Sequence, residues 1–172
     1  RSKENSGVAG GNNLGSYIAK GRYLFFLNND TFIKEDQLRC LIETLETREN
    51  AGGVCPLIRY ADEDELIQFA GFTPLSRFTL RNRSIGIGEY LSEKYLQPAE
   101  IPYMHGAAML IKREVYQRAG RMPCMYFLYY EELDWSLSIR NAGYRLFYDP
   151  RFTVYHKESR STGTHSPLRV FY

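Results

Sequence analysis

Long hydrophobic runs are missing from this chain. Nothing in its 172 residues approaches the roughly 20 consecutive apolar residues that a membrane-spanning helix needs, and its first residues carry no signal-peptide pattern. Cysteine is scarce. Cys40, Cys55 and Cys124 lie far apart and form no C-x-x-C pair, which argues against a disulfide framework and makes a reduced, cytosolic chain the expectation. Excess charge of one sign is also lacking. The formal net charge of +2 is too small to point to a nucleic-acid partner. No internal repeat, low-complexity tract or linker divides the sequence, so residues 1–172 are expected to form one domain, long enough for a real core. The chain opens on Arg1 rather than methionine and is read as a piece of something longer.

Aromatic residues, by contrast, are plentiful at 15% of the chain, with 14 Tyr and 10 Phe. They suit either an aromatic core or rings offered to a sugar or membrane surface. The order of elements is α/β. A Gly- and Asn-rich opening becomes helix-compatible from about Asn13 to Lys20, with Gly21 as its stop. The apolar run 23–27 has the length of a strand buried on both faces. Leu38, Leu41, Ile42 and Leu45 recur at helical spacing, with Glu35 and Asp36 in the first turn. "GGVCPLIRY" reads as a strand, and residues 61–100 as a loop-rich excursion with short strands near "LIQFAGF" and "RFTLRNRSIG". A strand then runs into a helix that stops at Gly120. A further helix spans about Glu131 to Asn141, a strand ends before Pro150, and "RFTVYH" is the last strand. This alternation predicts a layered α/β fold.

Three clusters carry candidate chemistry. "YLFFLNND" passes from five apolar residues straight into Asn28, Asn29 and Asp30, with no glycine or proline to make a simple turn. Ligands of α/β sheets bind at the carboxyl ends of strands, and a carboxylate there can hold a divalent cation against phosphate oxygens. The same three residues also suit a polar turn capping a following helix. "YYEELDW" sets Glu131, Glu132 and Asp134 in the first turn of a helix. The helix dipole favours acids there, but three are more than it needs. An acid among aromatic rings can have a raised pKa and serve as a general base. Finally, His156 follows the strand "FTVY" among Lys157, Ser159, Arg160 and Ser161. It is either a surface residue or a metal ligand with cations nearby to meet phosphate.

In this order, "ENSGVAGGNNLGSYIAKGRYLFFLNNDT", "GAAMLIKREVYQRAG", "MYFLYYEELDWSLSIRNAGYRLFYDP" and "VYHKESRST" resemble glycosyltransferase family 2, of rhamnosyltransferase-like type. The likeness covers nearly the whole chain. It implies a GT-A-like (Rossmann-like) mixed sheet flanked by helices, incomplete at the N-terminus. It implies an inverting glycosyltransferase that moves a sugar from a nucleotide-diphosphate donor to a glycan or lipid-linked acceptor. By the same resemblance Asp30 and His156 hold Mg2+ or Mn2+, and Asn13, Asn28, Asn29 and Asp30 face the donor. Glu132, in competition with Glu131, is the base. His105, Gly106, Ala107, Asp134 and Trp135 line the acceptor pocket. Departures from the family pattern are the Asn-Asn-Asp metal motif, the Glu-Glu base motif and the absence of a strand–helix–strand unit before Arg1. The resemblance extends to peripheral membrane association at a cytoplasmic face, and an open sheet edge would favour self-association. A non-catalytic nucleotide- or carbohydrate-binding module and a nucleotidyltransferase-like protein are the competing readings.

Overall fold

Glycine marks the first element rather than delaying it. In the computed structural model, which describes residues 5–157, helix α1 spans Gly7–Ile18, six residues ahead of the expected start. Backbone contact supplies what helix propensity lacks. The Val8 amide donates to the Phe127 carbonyl at 3.2 Å, and a side chain at position 7 would collide with that same carbonyl. The expected basic, hydroxyl-rich tail at Ser159, Arg160 and Ser161 lies outside the described residues.

The strands are β1 (Tyr23–Leu27), β2 (Thr31–Phe32), β3 (Ala51–Tyr60), β4 (Ile67–Phe69), β5 (Ala99–Ile101), β6 (Ala108–Lys112) and β7 (Arg145–His156). Among the described residues they form one mixed sheet in the order β1-β6-β3-β7-β2, with β4 added to β3 and β5 to β7. Only the central β3–β7 pair is parallel. That pairing explains the wholly buried run 51–58, because a strand covered on both faces has no polar side to show.

Two expectations change here. β1 is not buried on both faces alike. It is the outer strand, and its burial alternates: Leu24 and Phe26 are buried, while Tyr23 and Phe25 are only partly covered. Likewise the two strands expected around Pro150 are one strand, β7. The register against β3 jumps from Pro56↔Asp149 to Leu57↔Thr153, so residues 150–152 bulge out and Pro150 sits where no ladder bond is needed. Asp149 anchors the bulge, taking hydrogen bonds from Thr44 Oγ1 and from the Arg151 backbone and guanidinium. Burial alone would raise its pKa, but these donors outweigh it and leave the carboxyl below its ordinary range.

Helix α2 (Leu38–Thr47) buries Leu41 and Leu45 against one face of the sheet. It starts later than expected, and Asp36 acts just ahead of it, accepting from the Leu38 amide at 3.3 Å. Helices α3 (Arg113–Ala119) and α4 (Glu131–Asn141) pack on each other. Gly120, at φ +89°, ends α3 as expected. Residues 61–100 hold β4, a 3-10 turn at Glu93–Tyr95 and β5. Instead of a strand near "RFTLRNRSIG" there is only an isolated bridge, Phe72↔Ser84.

Ser136 ties α4 to the chain ahead of β6. Its buried hydroxyl accepts from the Met104 amide at 3.0 Å and donates to the Glu132 carbonyl at 2.6 Å. Ser136→Ala strands the Met104 amide, so a stability loss of about 1–3 kcal/mol is expected in urea unfolding.

Candidate active site

The polar end of β1 turns at once. Asn28 accepts from the Thr31 amide at 3.2 Å and the Thr31 hydroxyl at 2.6 Å, and its own amide donates to the Ala107 carbonyl at 3.0 Å. No helix follows; the turn leads into β2, which pairs with the end of β7 in the register Thr31↔His156. The capping alternative therefore falls away. The same register brings Asp30 to His156, with Asp30 Oδ1 3.1 Å from His156 Nε2. The Lys157 amide fixes the Asp30 backbone, donating to its carbonyl at 2.9 Å.

His156 is buried, and its other nitrogen is held. Nδ1 lies 2.9 Å from Gln68 Oε1. In the tautomer that carries the ring proton on Nδ1, Gln68 Oε1 accepts it and the Nε2 lone pair faces the Asp30 carboxylate, open to a cation. A nitrogen lone pair and a carboxylate oxygen 3.1 Å apart are spaced to share one cation. The pair thus fits a divalent metal. Among the described residues no group of three or more His, Cys, Asp and Glu is placed to hold an ion. Small divalent ions commonly take one or two protein ligands and complete their shell with phosphate and water.

Gln68 was not among the residues singled out from sequence. Its signal was there: it is the one polar side chain in the buried strand "IQF". A group that hydrogen-bonds the far nitrogen of a ligating histidine is commonly worth about 10–100-fold in metal affinity. Gln68→Leu is expected to weaken Mn2+ binding by about that factor, measured by calorimetry in the presence of a nucleoside diphosphate.

Segment 105–107 lies between the two chemical clusters. The Ala107 carbonyl accepts from Asn28, and a Cβ placed on Gly106 would lie 3.7 Å from the Glu132 carboxyl carbon. The His105 ring is stacked on Phe72 and tilted against Phe69, and its Nδ1 accepts from the Ala107 amide at 3.1 Å. Its backbone amide donates to the sulfur of Cys55, a buried thiol that burial pushes up to about 12, so Cys55 is no nucleophile.

The base candidates differ in setting. Tyr129 and Tyr130 precede α4 with φ of 69° and 68°, a left-handed pair that bulky residues rarely adopt. Such strain, roughly 1–3 kcal/mol per residue, is typical of functional sites, and here it aims the first turn of α4. Glu132 is partly covered and faces Gly106. Burial, then the Glu131 charge, pushes it up to about 7. Glu131 is buried outright, its pKa raised by burial, and its Oε2 finds no hydrogen-bond partner among the described residues.

Three of the expected site residues sit elsewhere than the resemblance implied, or act otherwise. Trp135 is fully buried, meets Phe26 and Tyr116 edge-on at ring distances of 5.3 and 5.9 Å, and donates its indole N–H to the Gly120 carbonyl. It is a core residue, with no surface left for an acceptor. Asn13 spends its amide group on the loop after α3. It donates to the Met122 carbonyl at 2.8 Å and accepts from the Met122 amide and the Tyr116 hydroxyl. It is therefore a structural tie rather than a donor contact. Asp134 is partly exposed and holds the Tyr126 hydroxyl, whose pKa its charge raises. Asn29 is exposed at the tip of the turn.

The family model for glycosyl transferase family 2 matches residues 1–120. The chain belongs to glycosyl transferase family 2. Among relatives, it is 29% identical to rhamnosyltransferase WbbL of Escherichia coli (strain K12) over 139 residues, covering 78% of this chain and 52% of that protein. It is 26% identical to an N-acetylglucosaminyl-diphospho-decaprenol L-rhamnosyltransferase of Mycobacterium tuberculosis (strain ATCC 25618 / H37Rv), covering 82% and 48%. It is 27% identical to the low-salt glycan biosynthesis hexosyltransferase Agl10 of Haloferax volcanii, covering 79% and 44%. The chain thus spans about half the length of the curated relatives it matches. Among solved structures, GalNAc-T7 with UDP, GalNAc and Mn2+ shares the fold. Its TM-score is 0.73 at 17% identity, over 97% of this chain and 33% of that one. The GT-A architecture expected from sequence is the one found.

Proposed function

We propose that this family 2 chain carries the catalytic centre of an inverting glycosyltransferase. The donor is a nucleotide-diphosphate sugar, and the acceptor is a glycan or a lipid-linked sugar. One observation carries the reading: segment 105–107 is hydrogen-bonded to the Asp30 turn through Asn28 and runs beside the Glu132 side chain at Gly106, where an added Cβ would lie 3.7 Å from the carboxyl carbon. A metal ligand pair and a raised-pKa acid flanking one strip of backbone suit a reaction with a diphosphate at one end and a hydroxyl at the other.

In this mechanism Asp30 and His156 would hold Mn2+ or Mg2+, which would supply positive charge against the departing diphosphate. Asn28 and Asn29 stand at the donor side of the turn. Glu132 takes the proton from the acceptor hydroxyl as that oxygen forms its bond to the anomeric carbon. The bond from that carbon to the diphosphate oxygen breaks on the opposite side, so configuration inverts. A carboxyl that titrates near 7 is a capable base at neutral pH, and a positioned base contributes about 10²–10⁴-fold.

Support for the donor and acceptor classes comes from relatives named as rhamnosyl- and hexosyltransferases, one with a decaprenol-linked substrate in its name. None of the helices described is long and apolar enough to cross a membrane. We place the site at the cytoplasmic face of a membrane, where a lipid-linked acceptor is reached from outside the bilayer. Among the described residues no strand pairs with the outer side of β1, and self-association there belongs to the same proposal, with light scattering as its check.

The test is a panel of nucleotide sugars with Mn2+, followed by proton NMR of the product anomer. Metal-dependent transfer with inversion supports the reading. Nucleotide binding without turnover on any donor, in a chain shown to be folded, would move it to a binding module.

A further inference from the structure

Residues 72–84 form a hairpin-like excursion after β4, closed at its base by the bridge Phe72↔Ser84. Its stem is held by the Thr73 amide on the Arg83 carbonyl and the Ser76 amide on the Arg81 carbonyl, both at 3.0 Å. Its tip is a tight turn in which Ser76 Oγ accepts from the Phe78 and Thr79 amides and Leu80 takes a left-handed φ of 53°. The turn is therefore preformed, and it leaves Phe78 98% and Leu80 75% exposed. Two large apolar side chains at a fixed tip are costly in water and gain nothing from the fold.

Charge around the tip is of one sign. Arg77, Arg81 and Arg83 are exposed, and no acid occurs from residue 66 to residue 88. Among the described residues none of the three forms an ion pair, unlike Arg22, Arg59, Arg145 and Arg151. Aromatic and aliphatic groups ringed by unpaired cations match the headgroup boundary of an anionic bilayer, with rings in the acyl edge and guanidinium groups among phosphates.

We propose that the 72–84 hairpin is a membrane-docking element that inserts Phe78 and Leu80 into a bilayer carrying anionic phospholipid. Its base is wired to the candidate active site. Phe72 stacks on His105, and the Ser84 hydroxyl donates to the backbone carbonyl of Gln68, the residue that holds His156. At 3.3–3.4 Å per residue, the six residues from Phe72 to Phe78 span no more than about 20 Å. Docking by the tip thus sets the site close to the membrane surface, which suits a lipid-linked acceptor if the proposed function holds.

The test uses sedimentation with vesicles of phosphatidylcholine alone and with about 30 mol% phosphatidylglycerol, whose anionic headgroups supply the negative surface potential. These vesicles contain neither donor nor acceptor, so the outcome is independent of glycosyl transfer. Binding to the anionic vesicles is expected, with at least a tenfold drop on neutral ones. Replacing Arg77, Arg81 and Arg83 together by Gln is expected to lower partitioning about 100-fold. Phe78→Ser with Leu80→Ser is expected to lower it at least about tenfold. Transfer to a soluble acceptor should be unchanged in that double variant. Phe78→Trp supplies a second readout: its emission should shift to the blue on anionic vesicles, while the buried Trp135 stays constant. No binding to anionic vesicles, binding indifferent to these substitutions, or an unshifted Trp emission would each overturn the proposal. So would a tip-dependent dimer that ignores vesicles.

Discussion

Glu132→Gln is expected to reduce kcat by about 10²–10⁴-fold, to leave donor binding near its original strength and to raise thermal stability above neutral pH. The substitution keeps the shape of the side chain and removes its basicity, so the loss belongs to the chemical step. The stability gain has a separate origin. Burial and the Glu131 charge push the Glu132 carboxyl up to about 7 from its ordinary value of 4.5. Between those values the unfolded chain releases this proton and the folded chain keeps it. Stability from this group is therefore full below about 4.5 and declines as pH rises through about 7. Glutamine carries no such penalty, so the variant should melt higher than the parent at pH 8 and show no gain at pH 4.5. Steady-state kinetics and melts at both pH values check this. In the parent, kcat should rise with pH through about 7 as the base ionises. Near-normal turnover in the variant would move the role to Glu131, whose Oε2 has no hydrogen-bond partner among the described residues.

Asp30→Asn is expected to remove measurable Mn2+ binding and to lower turnover by at least about 10²-fold, since metal stabilisation of a leaving phosphate is commonly worth several kcal/mol. An amide oxygen still reaches the same position, but without charge to hold a hard cation. The neighbouring His156 should still be buried and still held by Gln68, so the variant should fold. Manganese EPR reads the metal without reference to activity. Retained binding in Asp30→Asn together with loss in a substitution elsewhere would relocate the metal site.

Much of this arrangement could be read from the chain because its chemistry sits where element types change. The run 23–27 ending in Asn28-Asn29-Asp30, and the acids opening a helix at Glu131, are local patterns, and both lie where they were expected. Helix α4 matches its expected bounds because Gly143 and the turn before it punctuate both ends. What stayed hidden depends on long-range pairing. Nothing local to Gln68 says that it meets His156, which is 88 positions away. Trp135 shares the first turns of α4 with Glu132, and only the packing of Phe26 and Tyr116 around it assigns it to the core. Asn13 looks like a ligand contact in sequence, and becomes a brace only once the loop at Met122 folds back on α1. The start of α1 was missed for the same reason, because the Phe127 carbonyl rewards a glycine-rich helix that propensity alone disfavours.

One measurement bears most directly on the claim that Asp30 and His156 form the metal end of a sugar-transfer site. Crystals of the protein soaked with Mn2+ and a nucleoside diphosphate, with data collected near the manganese edge, would locate the ion by its anomalous scattering. One peak is expected between the Asp30 carboxylate and His156 Nε2, with the diphosphate beside it and the Gly106 backbone between that group and Glu132. A nucleotide bound with no peak there, or a peak on the far face of the sheet, would contradict it.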